Sequence, residues 1–273
     1  MSGLDASLPG PSARFAELVA GPEDRLALDE AALLIAAHAH PGLDVAGELE
    51  LLDELAASCP EPTIEGWRRY VFVDLGFSGN SGSYHDPANS YLDDVVRRRM
   101  GLPITLSVVG MELARRLGID LVGVGMPGHF LVRTPPEAPE AFFDPFDGGR
   151  VIDRAGCRER FETVNRSIRG RTPEWSDAYL EPVGPRAILA RMLANLKSTF
   201  ARSGDLASLE WVLSLRLAIP GVPVTERRDR ARVQGANGRF LEAAGELEDL
   251  ASALPDLADA LEREAVAFRA RLN

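Results

Sequence analysis

The residues best suited to chemistry fall in one stretch of the 273-residue chain, Gly128-His129 and, fifteen positions on, Asp144. A hairpin closed by the Pro-rich segment Thr134-Pro-Pro-Glu-Ala-Pro-Glu140 would set the two side by side. A carboxylate bonded to one imidazole nitrogen fixes the tautomer and aims the other nitrogen, which is the base half of a nucleophile–His–Asp site. The same pair also reads as a core histidine satisfied by a turn aspartate. Hydroxyls that could complete the first reading are Thr105, Ser107 and Ser90. Each has an ordinary alternative, since a helical hydroxyl often caps a local carbonyl. Asn89 could orient His129 or bind a carbonyl, and it could equally brace its own loop through an Asx-turn. Tyr84 and His85 are candidates to line a cleft.

The elements that must hold these residues follow from periodicity. Helical patterns run from Ala13, from Leu26 to His40 (stopped by Pro41-Gly42), from Leu43 to Ser58 and from Trp67 to Leu75. Residues 76–90 form a long stretch of turn formers with two aromatics, and long loops in compact domains are usually functional or disordered. Tyr91–Met100 reads as a short helix. Pro103 suits the first position of the next one, which ends near Leu117-Gly118. That helix is apolar on nearly every side and should be buried. Strands are expected at Leu121–Gly125, His129–Arg133, Ala141–Asp144 and Arg150–Ile152. A buried helix on a small antiparallel sheet is an α+β core. If the helix start faces His129, its free N–H groups would favour an anion there.

From Pro185 onward the pattern is helical throughout. Gly204-Asp-Leu206 returns as Gly238-Arg-Phe240, a spacing of 34, with Leu213 and Leu247 at the same offset. This is the period of TPR helix hairpins, whose stacked surfaces bind peptides or helices. The domain reading is a flexible arm over 1–12, an α+β domain with a helical lead-in over 13–180, and TPR-like helices over 181–273.

Composition narrows the function. The formal charge is −11, from 30 basic and 41 acidic side chains, which argues against a nucleic-acid binder. Arg158, Arg160, Arg166, Arg169 and Arg171 cluster before the helices, and residues 242–264 are acidic. These are either two solvated faces or a charge-steered contact. Cys59 and Cys157 match no metal-ligand spacing, so no metal or cofactor is expected, and so few cysteines suit a reduced, cytoplasmic compartment. No signal peptide and no membrane-length apolar run is found.

Five blocks carry a family likeness: Pro87-Ala-Asn-Ser-Tyr-Leu92, Arg98-Arg-Met-Gly-Leu-Pro-Ile-Thr-Leu-Ser107, Ala114-Arg-Arg-Leu-Gly-Ile119, Pro127-Gly-His-Phe-Leu-Val-Arg133 and Phe143-Asp-Pro-Phe-Asp-Gly-Gly149. Together they resemble the bacterial SirB family, which has a transglutaminase-like (papain-like) core and C-terminal TPR repeats. The resemblance runs over roughly residues 25 to 260. It implies a catalytic His129–Asp144 pair. Active transglutaminase-like enzymes add Gly-x-Cys at the start of the buried helix, the thiol being activated by the helix end and the histidine. Counting back from Gly118, that place is Pro103, in Gly101-Leu102-Pro103. The SirB family shares this gap. A related module occurs in a eukaryotic F-box protein. The expectation is a non-catalytic or chemically altered interaction or regulatory protein, with a protein or peptide partner on the TPR-like helices. The alternative is a hydrolase or acyltransferase using His129 and Asp144 with a hydroxyl or water. Asn89, Ser90, Pro103, Thr105 and Tyr84 would line its cleft.

Overall fold

Pro103 opens the central helix at the one position where a missing N–H is harmless. Every residue from Pro103 to Ala114 is buried. A computed structural model describes residues 10–166 and 173–272. In chain order its helices are α1 (Pro11–Ala20), α2 (Leu28–Ala39), α3 (Val45–Ala57), α4 (Ile64–Arg69), α5 (Leu92–Arg98), α6 (Pro103–Arg116), α7 (Arg154–Arg166), α8 (Pro185–Ser203), α9 (Leu206–Ala218), α10 (Glu226–Ala236), α11 (Phe240–Ala253) and α12 (Ala258–Arg269). The strands are β1 (Ser78–Gly79), β2 (Met100–Gly101), β3 (Val122–Val124), β4 (Leu131–Arg133), β5 (Phe142–Asp144), β6 (Arg150–Ile152) and β7 (Pro182–Val183). The fold is α+β, as the patterning implied.

One compact unit is Pro22–Met192. Here α6 packs against α2, α3, α4 and α5 and against β3 and β4, which is why it has no polar face. Caps set the helix starts: Asp44 Oδ1 accepts from the Gly47 amide and Thr63 Oγ1 from the Gly66 amide, both at 3.1 Å. The Trp67 indole donates to the Gly110 carbonyl in mid-α6 at 2.9 Å. A five-stranded antiparallel sheet runs in the order β6-β5-β4-β3-β7. Val124, Met126, Leu131, Phe142, Cys157, Phe161 and Leu180 form a buried cluster at the sheet and α7. β1 and β2 make a separate parallel pair, which ties the long loop to the residues just before α6.

Several details differ from expectation, among them the short β1, β2 and β7, and Met100, expected in a helix but found in β2. The strand expected to begin at His129 begins at Leu131, and His129 lies in the turn before it. Pro11 and Ser12, assigned to the arm, already belong to α1, because Pro fits the first turn of a helix. Residues 1–9 of that arm lie outside the described residues, as do Arg169 and Arg171 of the arginine cluster.

The other unit holds α1 and the chain from Leu193 onward. Its helices pack in sequence, α9 on α10, α10 on α11 and α11 on α12, with α1 against α9. Gly204 (φ 73°) and Gly238 (φ 82°) both take the left-handed conformation just beyond a helix end, so the recurring glycine marks a repeated helix stop. Ala231, Ala244, Leu247, Leu250, Leu261 and Ala265 form its core. The acidic segment is matched from within. Glu246 meets Arg227 and Arg230, Glu264 meets Arg228 and Arg232, and Glu248 meets Arg269. No helix among the described residues is long and apolar enough to cross a membrane.

Candidate functional site

The β4–β5 hairpin pairs Val132 with Phe143 and Arg133 with Phe142. Continued one step, that register sets Asp144 opposite Leu131 and leaves His129 just beyond the paired region. There His129 Nε2 meets Asp144 Oδ1 at 3.0 Å. Both are buried, at 3% and 0% exposure. Asp144 also caps the turn Pro145–Asp147, accepting from the Phe146 and Asp147 amides at 3.1 and 3.3 Å. Its second oxygen lies 2.9 Å from Arg160 Nε on α7, an ion contact rather than an aligned hydrogen bond. Burial alone would raise the Asp144 carboxyl. The His129 hydrogen bond, the charges of His129 and Arg160, and the Asp147 amide outweigh it and hold the group below its ordinary value. Asp144 is therefore an anion near neutral pH, and it draws the imidazole proton to Nε2.

Several residues position His129 that periodicity did not single out. Gly128 has φ 78°, and a Cβ there would come within 2.8 Å of Val164 Cγ1, so the turn needs glycine. Asn165 of α7, buried at 2%, donates from Nδ2 to the Pro127 carbonyl at 2.9 Å and to Phe161 O at 2.8 Å. Arg191 of α8 donates to the His129 carbonyl at 2.8 Å and lies over the Phe130 ring. Phe146 sits edge-on to His129 at 6.2 Å and to Tyr84 at 6.0 Å. The Cys157–Phe161–Asn165 spacing, i, i+4, i+8, was the available signal for α7, and all three are buried.

The remaining candidates are placed as follows. Asn89 is fully buried and serves its own loop: Oδ1 accepts from Asn80, and Nδ2 donates to the carbonyls of Ser83 and Tyr84 at 2.7 and 3.2 Å. Ser90 is buried, and its amide donates to Pro87 O. Ser107 Oγ donates to the Pro103 carbonyl at 2.7 Å. Thr105 is buried in the first turn of α6, with no hydrogen-bond partner for its hydroxyl among the described residues. Tyr84 is 40% exposed; burial pushes its phenol up, against the opposing charge of Arg191. Neither thiol approaches His129 through a hydrogen bond. Cys157 lies in the sheet core, where burial pushes it to about 12. Cys59 follows α3 and donates to Glu61 O at 3.4 Å. An open surface cleft is lined by Asp147, Arg150, Glu159 and Arg160, but not by His129 or Asp144.

Residues 43–194 match the sequence profile of the transglutaminase-like superfamily. The chain belongs to that superfamily. Relatives include a UPF0162 protein of Xylella fastidiosa, 42% identical over 196 residues, covering 66% of this chain and 67% of the relative. A second is UPF0162 protein PA3419 of Pseudomonas aeruginosa, 37% identical, covering 67% of this chain and 69% of the relative. F-box only protein 21 of Homo sapiens is 31% identical over 166 residues, covering 60% of this chain and 26% of that protein. No solved structure matches. In this transglutaminase-like chain the matched segment contains α6, His129 and Asp144. It also contains Pro103, buried at the start of α6.

Proposed function

We propose that this chain is a transglutaminase-like protein of the SirB type that acts as an interaction or regulatory module, not as a thiol acyltransferase. In this reading His129 and Asp144 are kept as a buried brace. The TPR-like helices α8–α12 present the surface for a protein or peptide partner. One observation carries the proposal. The only side-chain hydrogen bond of His129 among the described residues is to Asp144, and Pro103, which the family resemblance puts at the expected thiol position, opens α6. No thiol or hydroxyl is hydrogen-bonded to His129 among the described residues, so the nucleophile–base contact of covalent catalysis is missing. The likeness to F-box only protein 21 supports a role among proteins by analogy alone. A cytoplasmic setting belongs to the same proposal and is supported by two cysteines that stay unpaired.

The test uses the full-length chain. Leu241 and Val266, 60% and 65% exposed on α11 and α12, are changed together to Asp, and cross-linked partners from the native host are compared with wild type. Loss of specific partners while the fold is retained supports the docking surface. Equal recovery of every partner by both proteins counts against it.

A second reading has one observation in its favour. Asp144 engages Nε2 and leaves His129 Nδ1 unpartnered among the described residues, as a base activating water would require. A hydrolase or acyltransferase of this kind would turn over esters or amides in a His129-dependent way.

A further inference from the structure

The end of α2 and the start of α5 bring together groups that the His129 site does not use. His40 closes α2: its amide donates to Ala36 O, and Pro41-Gly42 turns the chain away. Its ring is fixed edge-on to Tyr91, at 5.2 Å and 71°. Asp93 and Asp94 are consecutive in the first turn of α5. His40 Nδ1 lies 2.8 Å from Asp93 Oδ2, and His40 Nε2 lies 3.5 Å from Asp94 Oδ2. One donor atom from each of the three residues falls within 4.8 Å of the others. Donors on a single ion at bonds of about 2.0–2.2 Å lie at most about 4.4 Å apart, so the three draw in slightly when an ion binds.

A second observation points to a ligand. Asp93 is 1% exposed, and its Oδ1 has no hydrogen-bond partner among the described residues. A buried carboxylate oxygen left without a donor is costly. The other oxygen is shared by His40 and by Arg97 Nη1, the latter at 2.9 Å. Arg97 is also drawn to Glu48. One guanidinium thus serves Asp93 and Glu48, and Asp94 adds a third carboxylate beside them. Burial first, and then the charge of Asp93, raise both the Asp94 and the Glu48 carboxyls.

We infer that His40, Asp93 and Asp94 form a site for one first-row divalent cation of the zinc or manganese class. One imidazole and two carboxylates suit such ions, whereas calcium and magnesium sites are built from oxygen alone. His40 binds as the neutral ring through one nitrogen lone pair. Water fills the positions the protein leaves open, reached past the partly exposed His40 and Asp94 side chains. The ion ties the end of α2 to α5. The same α5 follows the loop whose Tyr84 rests on Phe146.

The test is calorimetric titration of the chelator-treated, full-length, tag-free chain with zinc chloride and with manganese chloride. His40→Ala and Asp94→Asn are measured beside a His85→Ala control, and circular dichroism checks each fold. One-to-one saturable binding is expected, unchanged by His85→Ala. Each site variant should weaken it at least about tenfold, the scale set by loss of even outer-shell partners. Binding should also raise the thermal midpoint of the wild type and not that of His40→Ala. Absence of saturable binding for both ions, or binding unaltered in both site variants, overturns the assignment.

Discussion

The sheet unit and the helical unit handle polar groups in opposite ways. In the sheet unit, polar side chains such as His129, Asp144 and Asp29 are taken inside and paired there. Examples are His129 with Asp144, Asp144 with Arg160, and Asp29 with Arg116. In the helical unit the α10–α12 cluster is Ala and Leu, and the ion pairs that join its helices each keep at least one partly exposed partner. A buried ion pair adds little net stability, yet breaking it is expensive. A surface pair is cheap to lose. The sheet unit is therefore built for one exact internal geometry, and the helical unit for an interchangeable exterior.

The largest expected effect tests the first half of that contrast. Asp144→Ala leaves His129 buried without its partner, while Arg160 keeps only Asp147, and should cost about 3–5 kcal/mol in urea unfolding. A loss below about 1 kcal/mol would place the pair with the surface bridges. Next, Leu247→Ala in α11, at 0% exposure, should cost about 2–4 kcal/mol from lost burial and the cavity it leaves. That loss should not depend on pH.

Glu112 supplies a smaller, pH-dependent signature. Burial and the neighbouring Asp29 raise it to about 7. A raised carboxyl folds best when protonated, so its contribution weakens as pH rises from about 4.3 toward 7, by on the order of 3–4 kcal/mol. Glu112→Gln should flatten the stability profile across that window. Asp29, held low although burial opposes it, has the reverse sign: its stabilisation is present above about 3.9 and fades as pH falls. The smallest effect tests the second half of the contrast. Arg228 and Glu264 have side chains 28% and 26% exposed, and Arg228→Ala should cost less than about 1 kcal/mol. Added salt should shrink that cost further.

Much of this organisation is legible in the residues themselves. The all-round apolar Pro103–Ala114 run announces a buried helix, and the Pro-rich spacer between His129 and Asp144 announces their hairpin. Gly204 and Gly238 announce two equivalent helix stops. What periodicity cannot reveal is partnership across distance. Nothing local to Asn165, Arg160 or Arg191 marks them as supports of the His129 turn, because those contacts exist only once α7 and α8 dock. β1, β2 and β7 are two residues each, too short for any alternation to register. The placement of His129 before rather than within β4 follows from Gly128, whose positive φ breaks the strand pattern that Phe130–Arg133 suggests. His40 and Asp93 are 53 residues apart and meet only through the α2–α5 packing.

The central claim is that the His129–Asp144 pair braces the core and no longer turns over a substrate. It is tested most directly by measuring acyl-ester and acyl-amide hydrolysis and transfer by the wild-type chain and by a folded His129→Gln variant. The account predicts the same background rate from both proteins on every substrate, together with lower stability in the variant. Turnover by the wild type that disappears in the folded variant would contradict it.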